Sequence, residues 1–164
     1  MLTQLHLKNF KAWKDTGSIR LAPLTVIFGA NSAGKSSLGH LLLALKQRAL
    51  STDRKRALHL GDTSSLIDLG TFADCLHGHD LTNSLDFGLS WTLPKPLEVR
   101  DPLQPALRYQ GDRLGLDVSL IAGKSGQPEV RSLQYGLANA DGVVLDVNLS
   151  RGENRKFSLD SEHY

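Results

Sequence analysis

The chain has 164 residues, 40% hydrophobic and 22% charged, enough for one core and ordinary for a soluble globular protein. Its formal net charge of +2 is too small to argue for a nucleic-acid partner, and its single cysteine, Cys75, excludes an internal disulfide and fits a reducing compartment. The N-terminus lacks the basic head, apolar run and cleavage site of a signal peptide, and no apolar run approaches the roughly 20 residues that span a membrane, so a cytoplasmic protein is expected.

Leu5 and Leu7 alternate with His6 and Lys8, the pattern of a half-buried strand. Asp15-Thr-Gly17-Ser is a turn signal, and Ile19 and Leu21 alternate again, predicting a second strand paired with the first. After Pro23 the run Leu24-Thr-Val-Ile-Phe28 has no polar face, which predicts a strand buried on both sides. A glycine-bearing loop follows. Leu38, Leu41, Leu42, Leu45 and Ala49 then recur at helical spacing and predict an amphipathic helix running to Leu50, with Ser51-Thr-Asp53 ending it or capping the next element. Residues 54–82 contain Gly61-Asp62, Gly70 and Gly78, and short irregular pieces are expected there.

From Ser84 the pattern changes. Leu85, Phe87, Leu89 and Trp91 alternate with polar or small residues, as do Leu114, Leu116, Val118 and Leu120, and Val143, Leu145, Val147 and Leu149. Between them lie Gly111-Asp112, Gly123-Lys-Ser-Gly126, Asp141-Gly142 and Arg151-Gly152, so antiparallel strands joined by turns are expected. Pro94, Pro96, Pro102 and Pro105 mark a non-strand connector within this half. Lys156-Phe-Ser-Leu-Asp-Ser-Glu-His-Tyr164 reads as a strand just begun with nothing to close the domain, and the expectation is a piece of a longer protein. The division expected is a strand pair, loop and helix over 1–50, an irregular connector over 51–83, and antiparallel strands over 84–164.

Gly29, Ala30, Asn31, Ser32, Ala33, Gly34, Lys35 and Ser36 match the pattern G-x-x-x-x-G-K-[ST]. Glycines let the backbone curl so that successive N–H groups point inward at phosphate oxygens. The helix that begins there adds its positive N-terminal end. Lys35 reaches β- and γ-phosphates as a mobile point charge, and Ser36 offers a hydroxyl to Mg²⁺. A buried strand before the loop and a periodic helix after it are the context that this chemistry needs. The site expected is therefore one for ATP and Mg²⁺.

The opening Leu2-Thr-Gln-Leu-His-Leu-Lys-Asn9-Phe10-Lys11-Ala-Trp13 resembles that of the ABC-type ATPase heads of RecF, SMC and the OLD (overcoming lysogenization defect) group. The loop with Asn31 and Ser37 is similar to their G-x-N-x-x-G-K-[ST]-[ST]. Leu58-His-Leu-Gly61 and Asp68-Leu-Gly70-Thr-Phe72-Ala-Asp74 look like segments of bacterial AAA-type ATPases of the OLD-like group. The likeness covers residues 1–91. It implies an α/β fold of α+β character, a P-loop NTPase of the ABC-head type, here an incomplete domain. It implies that Asn31 sits near the γ-phosphate and that Lys11 and Trp13 lie near the α-phosphate and base, where an indole could stack on adenine and a lysine could pair with phosphate.

Such an ATPase also needs four apolar residues ending in Asp, then Glu as general base, and a signature loop. Neither is found. Val143-Val-Leu-Asp146 is followed by Val147 and reads as an antiparallel strand. Gln104, Gln110, Gln127 and Gln134 are candidates by type for the glutamine that contacts Mg²⁺ in the class, with no means of choosing among them. Cys75, His77 and His79 alternate and would share one face of a strand, but their spacing matches no zinc pattern. Lys46, Arg48, Arg54, Lys55 and Arg56 form a basic stretch that could contact DNA or RNA phosphates, or else is a solvated helix end. The resemblance implies an ATP-binding head, hydrolytic in the complete protein, that sandwiches ATP between two copies of a homodimer or higher oligomer. The switch would serve DNA handling or a partner effector such as an anti-phage nuclease, with no membrane involved. The alternative is a sensor or scaffold module that binds ATP without turnover. A nucleoside kinase is argued against by Asn31 and by antiparallel strands where kinases continue with parallel units.

Overall fold

The period-two alternation at the N-terminus forms an antiparallel pair, β1 (Leu2–Phe10) and β2 (Trp13–Arg20). The computed structural model describes all residues except 54, 55, 102, 105, 153, 155 and 162–164. The turn between the two strands falls at Lys11 and Ala12. Residues 15–18, expected to form it, lie inside β2, where the register slips between His6 and Lys8 and the extra length is taken up as a bulge.

Residues 24–28 do not form the predicted buried strand. They belong to no ladder, and Leu24 and Phe28 are 81% and 88% exposed. An apolar, β-branched run becomes a buried strand only when other strands pair with it and helices cover both faces. Neither is supplied by the described residues.

The helix expected at the loop is present as α1 (Lys35–Leu50). Ser37, Leu38, Leu41, Ala44 and Gln47 form its buried stripe, Leu42 and Leu45 are partly buried, and Ala49 is exposed. Residues 54–82 are mostly irregular where described. They contain the short helix α2 (Phe72–Cys75) and a 3₁₀ turn, His77–His79. The α2 turn is started by a capping box. The Thr71 hydroxyl accepts from the Asp74 amide at 3.3 Å, and the Asp74 carboxylate accepts from the Thr71 amide at 2.8 Å. The segments containing Gly61 and Gly70 run side by side, with the Leu69 amide donating to the Leu60 carbonyl at 2.6 Å. A Cβ on Gly61 would meet the Asp68 Cα at 2.6 Å, so only glycine permits that approach.

Five more strands follow: β3 (Leu85–Arg100), β4 (Arg108–Ala122), β5 (Pro128–Asn139), β6 (Gly142–Arg151) and β7 (Phe157–Asp160). Among the described residues the seven strands form one sheet in the order β2-β1-β3-β4-β5-β6-β7, every pairing antiparallel. The fold is thus α+β and compatible with a P-loop NTPase, though mostly strand. Two expectations are corrected in this half. Pro94 and Pro96 lie within β3, where its register against β4 shifts between Thr92 and Leu97; prolines are tolerated where a bulge removes the need for their missing N–H. Gly111-Asp112 is no turn but lies inside β4, with Gly111 opposite Leu97. Pro102 and Pro105 lie outside the described residues.

One face of the sheet carries the core. Leu5, Leu7 and Phe10 of β1, Leu85 and Phe87 of β3 and Leu120 of β4 pack with Leu38, Leu41 and Ala44 of α1. Leu58, Leu60, Leu69, Phe72, Cys75 and Leu76 from the connector complete it. On the opposite face a row of His6, Gly88, Asp117, Gln134 and Asn148 crosses five strands in register. Among the described residues no helix is long and apolar enough to cross a membrane.

Candidate phosphate-binding site

The loop of residues 29–36 joins the exposed segment to α1 and rests against the turn between β1 and β2. Gly34 is the N-cap of α1 in the left-handed region, at φ 83°. No side chain caps the helix, and no acidic residue lies in its first turn. The first amides of a helix have no partner within it, so this end keeps free N–H groups and the positive end of the helix dipole. Ser32 also sits at positive φ, 64°, a strained position for a residue with a side chain. Alternation of left- and right-handed residues is the backbone pattern that turns successive amides to one side.

Lys35 closes this loop on itself. Its ammonium donates to the carbonyls of Gly29 at 2.8 Å and Ala30 at 2.5 Å, across the loop from its own position at the start of α1. The charge is therefore held inside the curl by two neutral acceptors, which an anionic oxygen outcompetes. Ala30, Asn31, Ser32, Ala33 and Ser36 are exposed. Ser37 is buried on the core side of α1, and its amide donates to the Gly34 carbonyl at 3.0 Å.

The turn places Trp13 against the loop, while the Lys11 backbone is bonded to Cys75 and His77. The Trp13 indole N–H donates to the Gly34 carbonyl at 3.0 Å. Lys11 is partly buried, and its charge acts on Cys75 and Asp74. The Asp74 carboxyl lies below its ordinary value, first because the Thr71 hydroxyl and amide donate to it and then because Lys11 and His79 are near. Two participants at this corner were not read from the sequence. Ala12 packs under Gly34, and His77 Nδ1–H donates to the Lys11 carbonyl at 2.9 Å. A small residue at the turn was the only available signal for the first; the second had none.

The expectation that Cys75, His77 and His79 share a strand face is corrected. They fall at the end of α2 and in the 3₁₀ turn, and each is otherwise engaged. The Cys75 thiol is buried and donates to the Thr71 carbonyl at 3.5 Å, while His79 Nδ1 meets the Ala73 carbonyl at 3.1 Å. Among the described residues no group of three His, Cys, Asp or Glu is arranged to hold a metal. Burial pushes the Cys75 thiol up to about 11. At pH 8 roughly one molecule in a thousand then carries the thiolate. Native protein is expected to resist a disulfide reagent such as DTNB for hours and to react fully within minutes in guanidinium; rapid labelling of folded protein would contradict this burial.

The remaining candidates are dispersed. Gln104 lies before β4, Gln110 within β4, Gln127 in the turn between β4 and β5, and Gln134 on the polar face of β5. Val143 to Asp146 lie in antiparallel β6, where Asp146 is buried and accepts from Asn148 Nδ2 at 2.8 Å. Of the basic stretch, Lys46 is exposed, Arg48 ends α1, and Arg56 pairs with Asp53 at 3.0 Å. Arg54 and Lys55 lie outside the described residues. Among the described residues, the candidate outside the loop that a contact joins to it is Trp13. The family description AAA ATPase domain matches residues 1–91 of the chain. No curated protein matches it.

Proposed function

Because the chain belongs to the AAA ATPase domain family, we propose that residues 29–36 bind ATP with Mg²⁺ and that the chain is part of an ABC-type head of the OLD-like group. The observation that carries the site is the construction of the loop: a left-handed Gly34 opens α1, nothing caps the helix, and the Lys35 ammonium lies across the curl. These residues fit the nucleotide and its metal. Free amides at the helix end receive phosphate oxygens, and Lys35 exchanges two carbonyls for β- and γ-phosphate oxygens. The exposed Ser36 hydroxyl would hold Mg²⁺, which when bound would supply neutralisation of phosphate charge. Asn31 is exposed on the loop and would sit near the γ-phosphate, as the resemblance to RecF, SMC and OLD heads implies. By the same resemblance Lys11 and Trp13 would lie near the α-phosphate and base.

A second copy of the head closes over the exposed loop and completes an ATP sandwich, and the resulting switch acts on DNA or on an effector such as a nuclease. The likeness of the opening strand and of Asn31 to RecF, SMC and OLD heads supports these finer steps. The test is titration of the chain with ATP by calorimetry, with and without Mg²⁺, followed by light scattering. Saturable, Mg²⁺-dependent binding with larger particles at saturation is expected. No binding overturns the phosphate-site reading, and binding without larger particles overturns the ATP sandwich.

A further inference from the structure

Asn9 and Lys11 both adopt left-handed backbone, at φ 58° and 50°, on either side of Phe10 at the tip of β1. Residues with side chains hold that conformation only where their surroundings fix it. Here the fixing groups come from the connector and from Ser84, just before β3. Asn9 Nδ2 donates to the Ser84 carbonyl at 2.8 Å, and the Lys11 amide donates to the Cys75 carbonyl at 2.7 Å. His77 donates to the Lys11 carbonyl, and Phe10 bridges to Leu76 in the buried core. A carbonyl can only accept, so His77 carries its proton on Nδ1 for this contact.

The tip held in this way carries the next two residues to the loop. A Cβ on Gly34 would meet Ala12 Cβ at 2.6 Å and Trp13 Nε1 at 3.2 Å. The backbone of the loop therefore lies directly on this turn, and the indole N–H is directed at the Gly34 oxygen. In a trans peptide the C=O and the following N–H are rigidly opposed. Whatever holds the Gly34 oxygen also aims the Lys35 amide in the opposite direction, away from Trp13.

We propose that Trp13 is a positioning residue for the phosphate loop: together with the Ser37 amide, which donates to the same oxygen at 3.0 Å, its indole N–H holds the Gly34 carbonyl and so fixes the direction of the Lys35 amide that receives phosphate. The inference rests on the reading of residues 29–36 as an ATP site. Its benefit is preorganisation. An amide already aimed at the anion costs no reordering when the nucleotide arrives.

Trp13→Phe keeps an aromatic ring and removes the donor, whereas Trp13→His keeps a ring N–H. Loss of one hydrogen bond to the loop weakens Mg²⁺–ATP binding roughly tenfold in Trp13→Phe, and Trp13→His recovers part of that loss. The readout that a merely structural role would not move is the Lys35 amide in nucleotide-free protein: its NMR shift changes in Trp13→Phe while shifts in β4 to β6 stay. If Trp13→Phe does not fold, benzothienylalanine at position 13, which has the indole shape without the N–H, takes its place. Equal ATP affinity in wild type and donor-less variant overturns the inference and leaves the ATP site standing. No binding by wild type overturns the ATP site, and this inference with it.

Discussion

Lys35→Ala is expected to weaken Mg²⁺–ATP binding by a factor on the order of 100 or more while the melting temperature moves by no more than about 2 °C. Both halves follow from the position of the side chain. Among the described residues its ammonium bonds to the carbonyls of Gly29 and Ala30, on an exposed loop and outside the core. Removing it deletes a surface contact from the folded protein but the sole side-chain cation of the phosphate loop from the complex. Lys35→Arg is expected to fail as well, because a planar fork cannot occupy the place of a compact ammonium inside so small a curl. Calorimetric titration of the three proteins decides it. Affinity in Lys35→Ala within a factor of three of wild type would remove residues 29–36 from the site; a fall of 10 °C in melting temperature would mean that the lysine serves the fold.

The contrast with Trp13 is instructive about which parts of this corner are carried by sequence pattern. Lys35 was legible because its chemistry is local: glycines, a lysine and a hydroxyl residue at fixed spacing act through backbone that they shape themselves. The helix that follows was legible for the same reason, since Leu38, Leu41 and Leu45 repeat at helical spacing. Trp13 is read from the sequence as an aromatic near the base, but its hydrogen bond to Gly34 spans 21 positions and has no local signature. Residues 24–28 mark the opposite failure. The run is apolar and β-branched, which states a preference for burial but not the identity of its ladder partner. Among the described residues the sheet runs antiparallel elsewhere and leaves the segment exposed. Gly17 and Gly111 misled because glycine serves bulges and strand interiors as well as turns. Pro94 and Pro96 misled because a slip in register accommodates what a regular ladder would reject.

Gln47→Leu is expected to destabilise the chain by roughly 3 kcal/mol and lower its melting temperature by on the order of 10 °C. Gln47 lies near the end of α1. The structure makes it the link between helix and connector, only 6% exposed. Its Nε2 donates to the His59 carbonyl at 2.6 Å, and its Oε1 accepts from the Ile67 amide at 3.1 Å. One side chain thus satisfies a backbone acceptor and a backbone donor eight residues apart, on the two segments that run past each other at Gly61. Leucine has a similar volume, so its cost is the polar one: two backbone groups lose their partners, at about 1–3 kcal/mol each when water cannot replace them. Leu43→Ala, on the exposed side of the same helix, should shift stability by less than about 1 kcal/mol. Denaturant melts of both variants separate helix propensity from the clamp. Equal losses in the two would show that Gln47 acts only as a helix residue. A loss confined to Gln47→Leu, with the amides of residues 58–69 exchanging faster, would show that α1 holds the connector through this one amide. Because the connector in turn fixes the tip of β1 through Cys75 and His77, the same variant should also weaken ATP binding, by less than Trp13→Phe does.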